Sequence, residues 1–303
     1  MPIRKVLTTK ANFLALPAKN SSYDKSKIVI LSAPYEKTVS YGGGTGKAPR
    51  AIIKASQYVE FFDDEFFTEL CFTHGIATLP PLDFKSVSGK QAMKKLEKTI
   101  TNEIEAGKFV VTLGGEHTIS SATIGAHFAA YPKMSVLHFD AHSDLRDSYS
   151  GTKYSHACFM ARVDDDYDFP MERVVQVGIR AQCKEEAEFI KKKKVKTFYA
   201  TNIRRGKHGA AWQKSVVKAL SSNDVYITFD IDYFDPAIMP TTGTPEPDGF
   251  LWNETMEIFR ELRASGKRIV GFDMVELIPD PKQHHATYLV AKLVYRMLNF
   301  AFV

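Results

Sequence analysis

Cysteine is scarce and unpatterned in this 303-residue chain. Cys71, Cys158 and Cys183 are an odd number, widely spaced and in no CxxC pattern. A disulfide framework is not expected, and a reducing, cytoplasmic setting is. Long apolar runs are missing too. Nothing approaches the roughly 20 residues of a membrane-spanning helix, so no membrane association is expected. Neither charge sign dominates, with 40 Lys and Arg against 35 Asp and Glu. Such a mixed surface does not call for a nucleic-acid partner. The densest basic run, 191–194, follows Glu185, Glu186 and Glu188 and has no interleaved aromatics. It reads as the solvated end of a helix, with Glu→Lys pairs and cations at the negative pole of the helix dipole. The glycine-rich stretch 41–47 lacks the strand–GxxxxGK–helix order of a phosphate loop. Internal repeats and low-complexity linkers are also absent.

The first 23 residues contain Arg4, Lys5, Lys10 and Lys19 and no acid, a faint likeness to a transit peptide. They have neither a signal h-region nor a clear amphipathic repeat, so residues 1–25 are read as an N-terminal extension and 26–303 as one domain. A chain of about 300 residues buries roughly 75% of its unfolded surface, enough for a core without staples.

Within that domain, short runs rich in Val, Ile and Phe alternate with amphipathic segments. Residues 28–35, 109–113, 135–139, 174–179, 225–229 and 268–272 read as buried parallel strands. Helical patterns cover 49–58, 91–106, 118–131, 184–194, 211–220, 253–264 and 286–298. Pro49 suits a helix start, and Gly107 and Gly266 suit helix ends. The alternation predicts an α/β fold, a parallel sheet with helices on both faces. Ligands in such sheets bind at the carboxyl ends of strands. The aromatics Phe61, Phe62, Phe66 and Phe67 are read as core, with an interface as the alternative.

Three acidic or histidine clusters follow predicted strands. They are Gly114-Gly115-Glu116-His117, the run from His138 to Asp144, and Asp230-Ile231-Asp232. Asp140, His142 and Asp144 recur every second residue, which in an extended chain turns all three to one side. Asp230 and Asp232 share a face in the same way. A single DxD is more often a loop cap than a ligand pair, and a lone histidine after two glycines says little. The DxHxD run is harder to explain structurally, because it sets three polar groups on an otherwise apolar strand. Four converging carboxylates repel one another and resist desolvation unless cations sit among them. Imidazoles in the set favour a divalent transition metal. Six ligands are too many for one ion with an open position, and suit two ions about 3.5–4 Å apart.

These residues resemble the ureohydrolase family, the arginases and agmatinases. The resemblance is carried by GGEH at 114–117, DAHSD at 140–144, SHACF at 155–159, FDIDYFDP at 229–236, TGTPEPDGF at 242–250 and FDMVEL at 272–277. It implies a three-layer α/β/α domain around a mostly parallel sheet of about eight strands. It implies two Mn²⁺ ions, with His117 and Asp144 as terminal ligands of one, His142 and Asp232 of the other, and Asp140 and Asp230 as bridges. Other divalent transition metals would fit the same set. It further implies His156 as proton shuttle, Glu276 as guanidinium partner, Asp144 as a catalytic group and Thr244 as substrate-binding. Read bare, His156 is a loop histidine and Glu276 a cap or surface pair. The family's oligomers imply a trimer or hexamer.

Family members differ in what hangs from the guanidine. Arginases read the α-carboxylate with an Asn after DAHxD and the α-amino group with acids after GxR. Here Leu145-Arg146-Asp147 opens a loop with no Asn before His156, and Ala181-Gln182-Cys183 follows Arg180. The likeness is therefore to microbial agmatinases, and the expected reaction is agmatine to putrescine and urea, a step of polyamine synthesis. Guanidinobutyrate, aminopropylagmatine and arginine are the alternative substrates. A one-zinc amide hydrolase would need neither His117 nor Asp144. A non-catalytic scaffold would be expected to have lost ligands.

Overall fold

The structure, a computed structural model, describes residues 5–303; Arg4 lies outside them. The elements run α1 (Ala18–Ser21), β1 (Ile28–Ala33), α2 (Ala48–Ser56), α3 (Leu70–His74), β2 (Ile76–Thr78), α4 (Gly89–Glu105), β3 (Phe109–Gly114), α5 (Ser120–Ala130) and β4 (Ser135–Phe139). They continue with α6 (Phe159–Tyr167), β5 (Val174–Val177), α7 (Lys184–Lys193), β6 (Lys196–Phe198), α8 (Ala200–Arg204), α9 (Trp212–Ala219), β7 (Asp224–Asp230), α10 (Trp252–Ala264), β8 (Arg268–Val275) and α11 (His284–Phe302). The eight strands form one parallel sheet in the order β2-β1-β3-β8-β7-β4-β5-β6.

Strand residues of both parities are apolar because both faces are covered. Ile28, Val111, Leu137 and Phe229 belong to a core shared with α2, α9, α10 and α11. Their neighbours Val29, Val110, Val136 and Tyr226 pack with α4, α5 and α6 on the opposite face. Phe139 stacks on Phe229 at 4.7 Å and Phe259 at 5.7 Å, tying β4, β7 and α10 together. Each such buried aromatic contributes roughly 1.5–3 kcal/mol. Pro49 opens α2, while Gly107 and Gly266 follow α4 and α10 in left-handed conformation.

Four expectations change on contact with the structure. Six strands were legible, and the other two, β2 and β6, are three-residue edge strands too short to show a period. The segment before β1 is packed against the domain: Phe13, Leu14 and Leu16 are fully buried. The Phe13 N–H donates to Thr78 Oγ1 at 2.9 Å and that of Leu14 to Ser56 Oγ at 2.8 Å. Of the four phenylalanines read as core, Phe61 and Phe66 pack against it, whereas Phe62 is 50% and Phe67 80% exposed. The lysine run does end a helix, yet Lys193 pairs with Asp164 of α6 at 2.6 Å, and Glu186 turns inward to cap α7 through the Cys183 N–H.

Candidate metal centre and cleft

The four central strands of the sheet, β3, β8, β7 and β4, all stop at one rim. His117 stands three residues past β3, Glu276 directly past β8, Asp230 and Asp232 at the end of β7, and Asp140 directly past β4. Short 3-10 turns at His117–Ile119 and Ile231–Tyr233 then swing the chain over the rim. Two glycines make the convergence sterically feasible. A Cβ on Gly115 would lie 2.1 Å from Tyr35 O, and one on Gly178 (φ +101°) 2.8 Å from Asp140 O.

His117 is fully buried, and its Nδ1 faces three carboxylates: Asp140 Oδ2 at 3.1 Å, Asp230 Oδ2 at 3.2 Å and Asp144 Oδ2 at 3.3 Å. His142 Nδ1 lies 2.8 Å from Asp232 Oδ2 and 3.6 Å from Asp140 Oδ1. Asp140 thus stands between two groups, with one oxygen towards each imidazole. Asp230 also accepts the Asp232 N–H at 2.8 Å, so it caps the turn as well as facing the cluster. The expected every-second-residue alternation stops short of Asp144. His142 sits in a bridge to Ala181, but Asp144 reaches the cluster through a left-handed residue, φ +54°. Glu276 has φ +66°. Such conformations cost non-glycine residues roughly 1–2 kcal/mol and gather at functional sites.

Burial pushes the Asp144 carboxyl up to about 7, with the Asp140 charge adding to it. Burial also raises Asp230 and Glu276 well above the usual range, helped by Asp232 and Asp140 at the first and Glu116 at the second. For His117 and His142 burial works the other way, but the facing carboxylates prevail and hold both imidazoles well above their ordinary value. Without cations the cluster therefore retains protons. Divalent cations compensate the same charges without them.

Buried hydrogen bonds around His117 point to the same occupant. The fully buried Asp273 on β8 accepts from Thr228 Oγ1 at 2.7 Å, Ser120 Oγ at 3.0 Å, Thr123 Oγ1 at 2.6 Å and Tyr226 Oη at 2.7 Å. With its proton given to Asp273, Thr228 Oγ1 accepts from His117 Nε2 at 2.9 Å. That assigns the ring proton to Nε2. In the neutral ring Nδ1 is then a buried lone pair facing three carboxylates, a position that either a proton or a cation must occupy. A cation fits that arrangement, and water-filled or apolar alternatives do not. His138 also approaches Asp140, within ligand-forming distance of His117. Its Nδ1, however, accepts from Gln176 Nε2 at 3.1 Å, so Nε2 donates to Asp140 Oδ2 at 2.7 Å and His138 orients that carboxylate.

A cleft of about 370 Å³ opens above the cluster, within the range of small-molecule sites. Glu276 lies on its floor, where Oε1 accepts the His117 N–H at 2.7 Å. Thr244 and His156 are on its walls. His156 Nδ1 is 3.2 Å from Thr38 Oγ1 and Nε2 2.8 Å from Ser40 Oγ, with Tyr149 edge-on to the ring at 5.6 Å. Burial lowers its pKa. Of the eight titratable site residues expected from the sequence, six line this cleft with Thr244, and His117 and Asp140 are buried behind it in contact with them. In the loop 36–47, the stretch 41–47 reads in the sequence as one of the long connections that gather where ligands bind, and Tyr41, Gly42 and Thr45 line the cleft. Glu116 accepts from Lys37 N, Thr38 N and Thr38 Oγ1 at 2.6–2.8 Å, which pins that loop beside His156. The contact of that loop with Glu116 had no local signal.

A parallel eight-stranded sheet with a carboxylate–imidazole centre at its rim defines a metal-dependent hydrolase. The family model described as the arginase family matches residues 26–299. The chain belongs to that family, whose members use a binuclear metal centre, and it is a hydrolase acting on C–N bonds of guanidino groups. The N(1)-aminopropylagmatine ureohydrolase of Synechocystis sp. is 33% identical over 92% of this chain and 90% of its own length. The agmatinase of Bacillus anthracis is 32% identical over 91% and 92%. Among solved structures, the agmatine ureohydrolase of Thermoplasma volcanium aligns with a TM-score of 0.81 at 29% identity, covering 98% of this chain and 93% of that one. Among the described residues no helix is long and apolar enough to cross a membrane.

Proposed function

We propose that this chain hydrolyses agmatine to putrescine and urea, with two Mn²⁺ ions held by His117, Asp140, His142, Asp144, Asp230 and Asp232. The observation that carries this reading is Glu276, a buried carboxylate on the cleft floor, hydrogen-bonded to the backbone of the ligand His117. It offers a planar acceptor to a planar guanidinium right beside the centre. Divalent cations bound there would supply Lewis-acid charge and would lower the pKa of a water beside them towards neutrality. Glu276 orients the guanidinium so that its carbon faces that water. Asp144, whose Oδ2 lies 3.3 Å from His117 Nδ1 in the cluster, would take a proton from the attacking oxygen. The bond from the guanidinium carbon to the alkylated nitrogen then breaks, and that nitrogen leaves as the amine after gaining a proton through His156. Thr244 lines the path of the tail.

The missing arginine-reading groups support a substrate without an α-carboxylate. The nearest cation of that loop, Arg146, is occupied by Glu186 at 3.8 Å and by the Tyr149 ring. The relatives favour a second reading, N1-aminopropylagmatine, as strongly as agmatine. Polyamine synthesis in the cytoplasm and a homo-oligomer complete the proposal; the three free cysteines support the compartment. The test is to load the protein with Mn²⁺, offer agmatine, N1-aminopropylagmatine, guanidinobutyrate and arginine separately, and measure urea. Release from arginine but not from agmatine would overturn the preference.

A further inference from the structure

The acidic residues around the cleft are nearly all occupied. Glu116 is used up by the loop that it anchors, Glu186 by the Leu145 and Cys183 N–H groups, and Glu276 contacts His117. The four aspartates belong to the centre. Glu246 is the exception. It lines the cleft, and among the described residues its carboxylate has no side-chain or backbone donor in hydrogen-bonding range. The group facing it most closely is His142 Nε2 at 3.9 Å, and its side chain is 37% exposed.

The backbone beneath this carboxylate is fixed with unusual thoroughness. Glu246 lies between Pro245 and Pro247, which restrict the chain on both sides. Arg180 then clamps it, donating from Nη2 to Glu246 O at 3.0 Å and from Nε to Pro247 O at 3.0 Å. The same guanidinium donates to Asp232 O at 2.7 Å and Gly178 O at 3.1 Å. The loop bearing Glu246 is therefore locked to the loop bearing a metal-site residue. A carboxylate carried on a backbone held this firmly at a cleft wall, with His142 Nε2 facing it no closer than 3.9 Å, is placed to meet a cation from outside.

Distance allows a cation on the tail of a substrate held at Glu276. Gly243 lies against Glu276, its constructed Cβ 3.9 Å from Oε2, and Glu246 follows three residues later. Three residues span at most about 10 Å. An extended four-carbon chain places an ammonium about 7 Å from a guanidinium carbon, from ordinary bond lengths. We propose that Glu246 is the subsite for the cationic amine of the substrate tail, setting selectivity for guanidines with an ammonium four methylenes from the guanidine nitrogen. This rests on the guanidine-hydrolase reading above. It extends it by assigning the far end of the substrate to a residue outside the metal centre.

The test compares wild type and Glu246→Gln, both loaded with Mn²⁺, on agmatine, on uncharged-tail butylguanidine and on guanidinobutyrate, with Glu246→Asp as the conservative variant. Glu246→Gln should raise KM for agmatine roughly ten- to hundredfold, the worth of a charged hydrogen bond, with a smaller change in kcat. Its KM for butylguanidine should move less than about threefold, and guanidinobutyrate should bind no worse. Glu246→Asp should recover part of the agmatine affinity. Equal losses on all three substrates, or a fall in bound metal showing that Glu246 acts through His142, would overturn the subsite. If wild type releases no urea from agmatine or any tailed guanidine, the functional reading itself fails, and a competent wild type with an indifferent Glu246→Gln fails the subsite alone.

Discussion

At the scale of single residues, protonation is decided by neighbours two bonds away from the centre. Thr228 passes the Asp273 charge to His117 as a fixed tautomer, and Gln176 does the same for His138. Thr228→Val keeps the side-chain shape and removes the relay. Metal affinity is expected to fall roughly 10- to 100-fold, the usual cost of losing such a partner. Stability should fall by about 1–3 kcal/mol through the unpaired Nε2. A metal titration and a denaturant melt read the two effects, and unchanged affinity would refute the relay. Among the described residues His156 has no hydrogen bond to the imidazoles or carboxylates of the centre, and its ring partners are Thr38, Ser40 and Ser155. His156→Ala should therefore cut turnover roughly 10²- to 10⁴-fold with bound metal undiminished. Full activity in that variant would remove it from the mechanism.

At the scale of elements, the centre depends on how closely β3 and β1 end side by side. The Gly115 N–H donates to Ala33 O at 3.1 Å and the Glu116 N–H to Tyr35 O at 2.9 Å, while Gly115 O accepts from Glu276 N at 2.9 Å. Three strand ends are joined at one glycine whose Cβ position is already filled by Tyr35 O. In Gly115→Ala the strands must part, shifting His117 and Glu276 together. A loss of about 1–3 kcal/mol, typical of overpacking, is expected, together with weaker metal retention. A variant that melts with wild type and retains its metal would show that the ends can yield freely.

At the scale of the whole molecule, the buried cluster links folding to pH and metal. The folded Asp144 carboxyl sits at about 7, against roughly 3.9 in an unfolded chain. Between those values the folded state holds more protons, so stability without metal falls as pH rises from about 4 to about 7. His117 and His142, raised by their carboxylate partners, add stability below about 6.5 that is lost as pH climbs through their higher folded values. Both contributions have the same sign, as do those of Asp230 and Glu276. His74, His127, His138 and His156, whose values burial lowers, act the other way and are four groups against these five. Chelator-treated protein should thus melt at a lower temperature at pH 8 than at pH 5. Added Mn²⁺ should raise the melting temperature more at pH 8, because cations bind the deprotonated ligands. Chelated protein that grows more stable towards pH 8 would contradict the assignment of these groups to one buried site.

The sequence by itself determined the alternation of strands and helices, the three ligand-bearing strand ends and the residues that gather there. These depend on side-chain periodicity and on chemistry written within a few neighbouring residues, and both survive without coordinates. It could not show the edge strands β2 and β6, whose three residues carry no period, or that Phe13 and Leu14 are buried beneath the domain. The left-handed turn that brings in Asp144, the Asp273–Thr228–His117 relay and the Arg180 clamp under Glu246 were decided only by tertiary structure. Each joins residues far apart in the chain, and a hydrogen bond across the sheet leaves no mark on local pattern. The residues of the cluster were legible because their spacing is local, whereas their orientation and the far end of the cleft were not, because the fold supplies them.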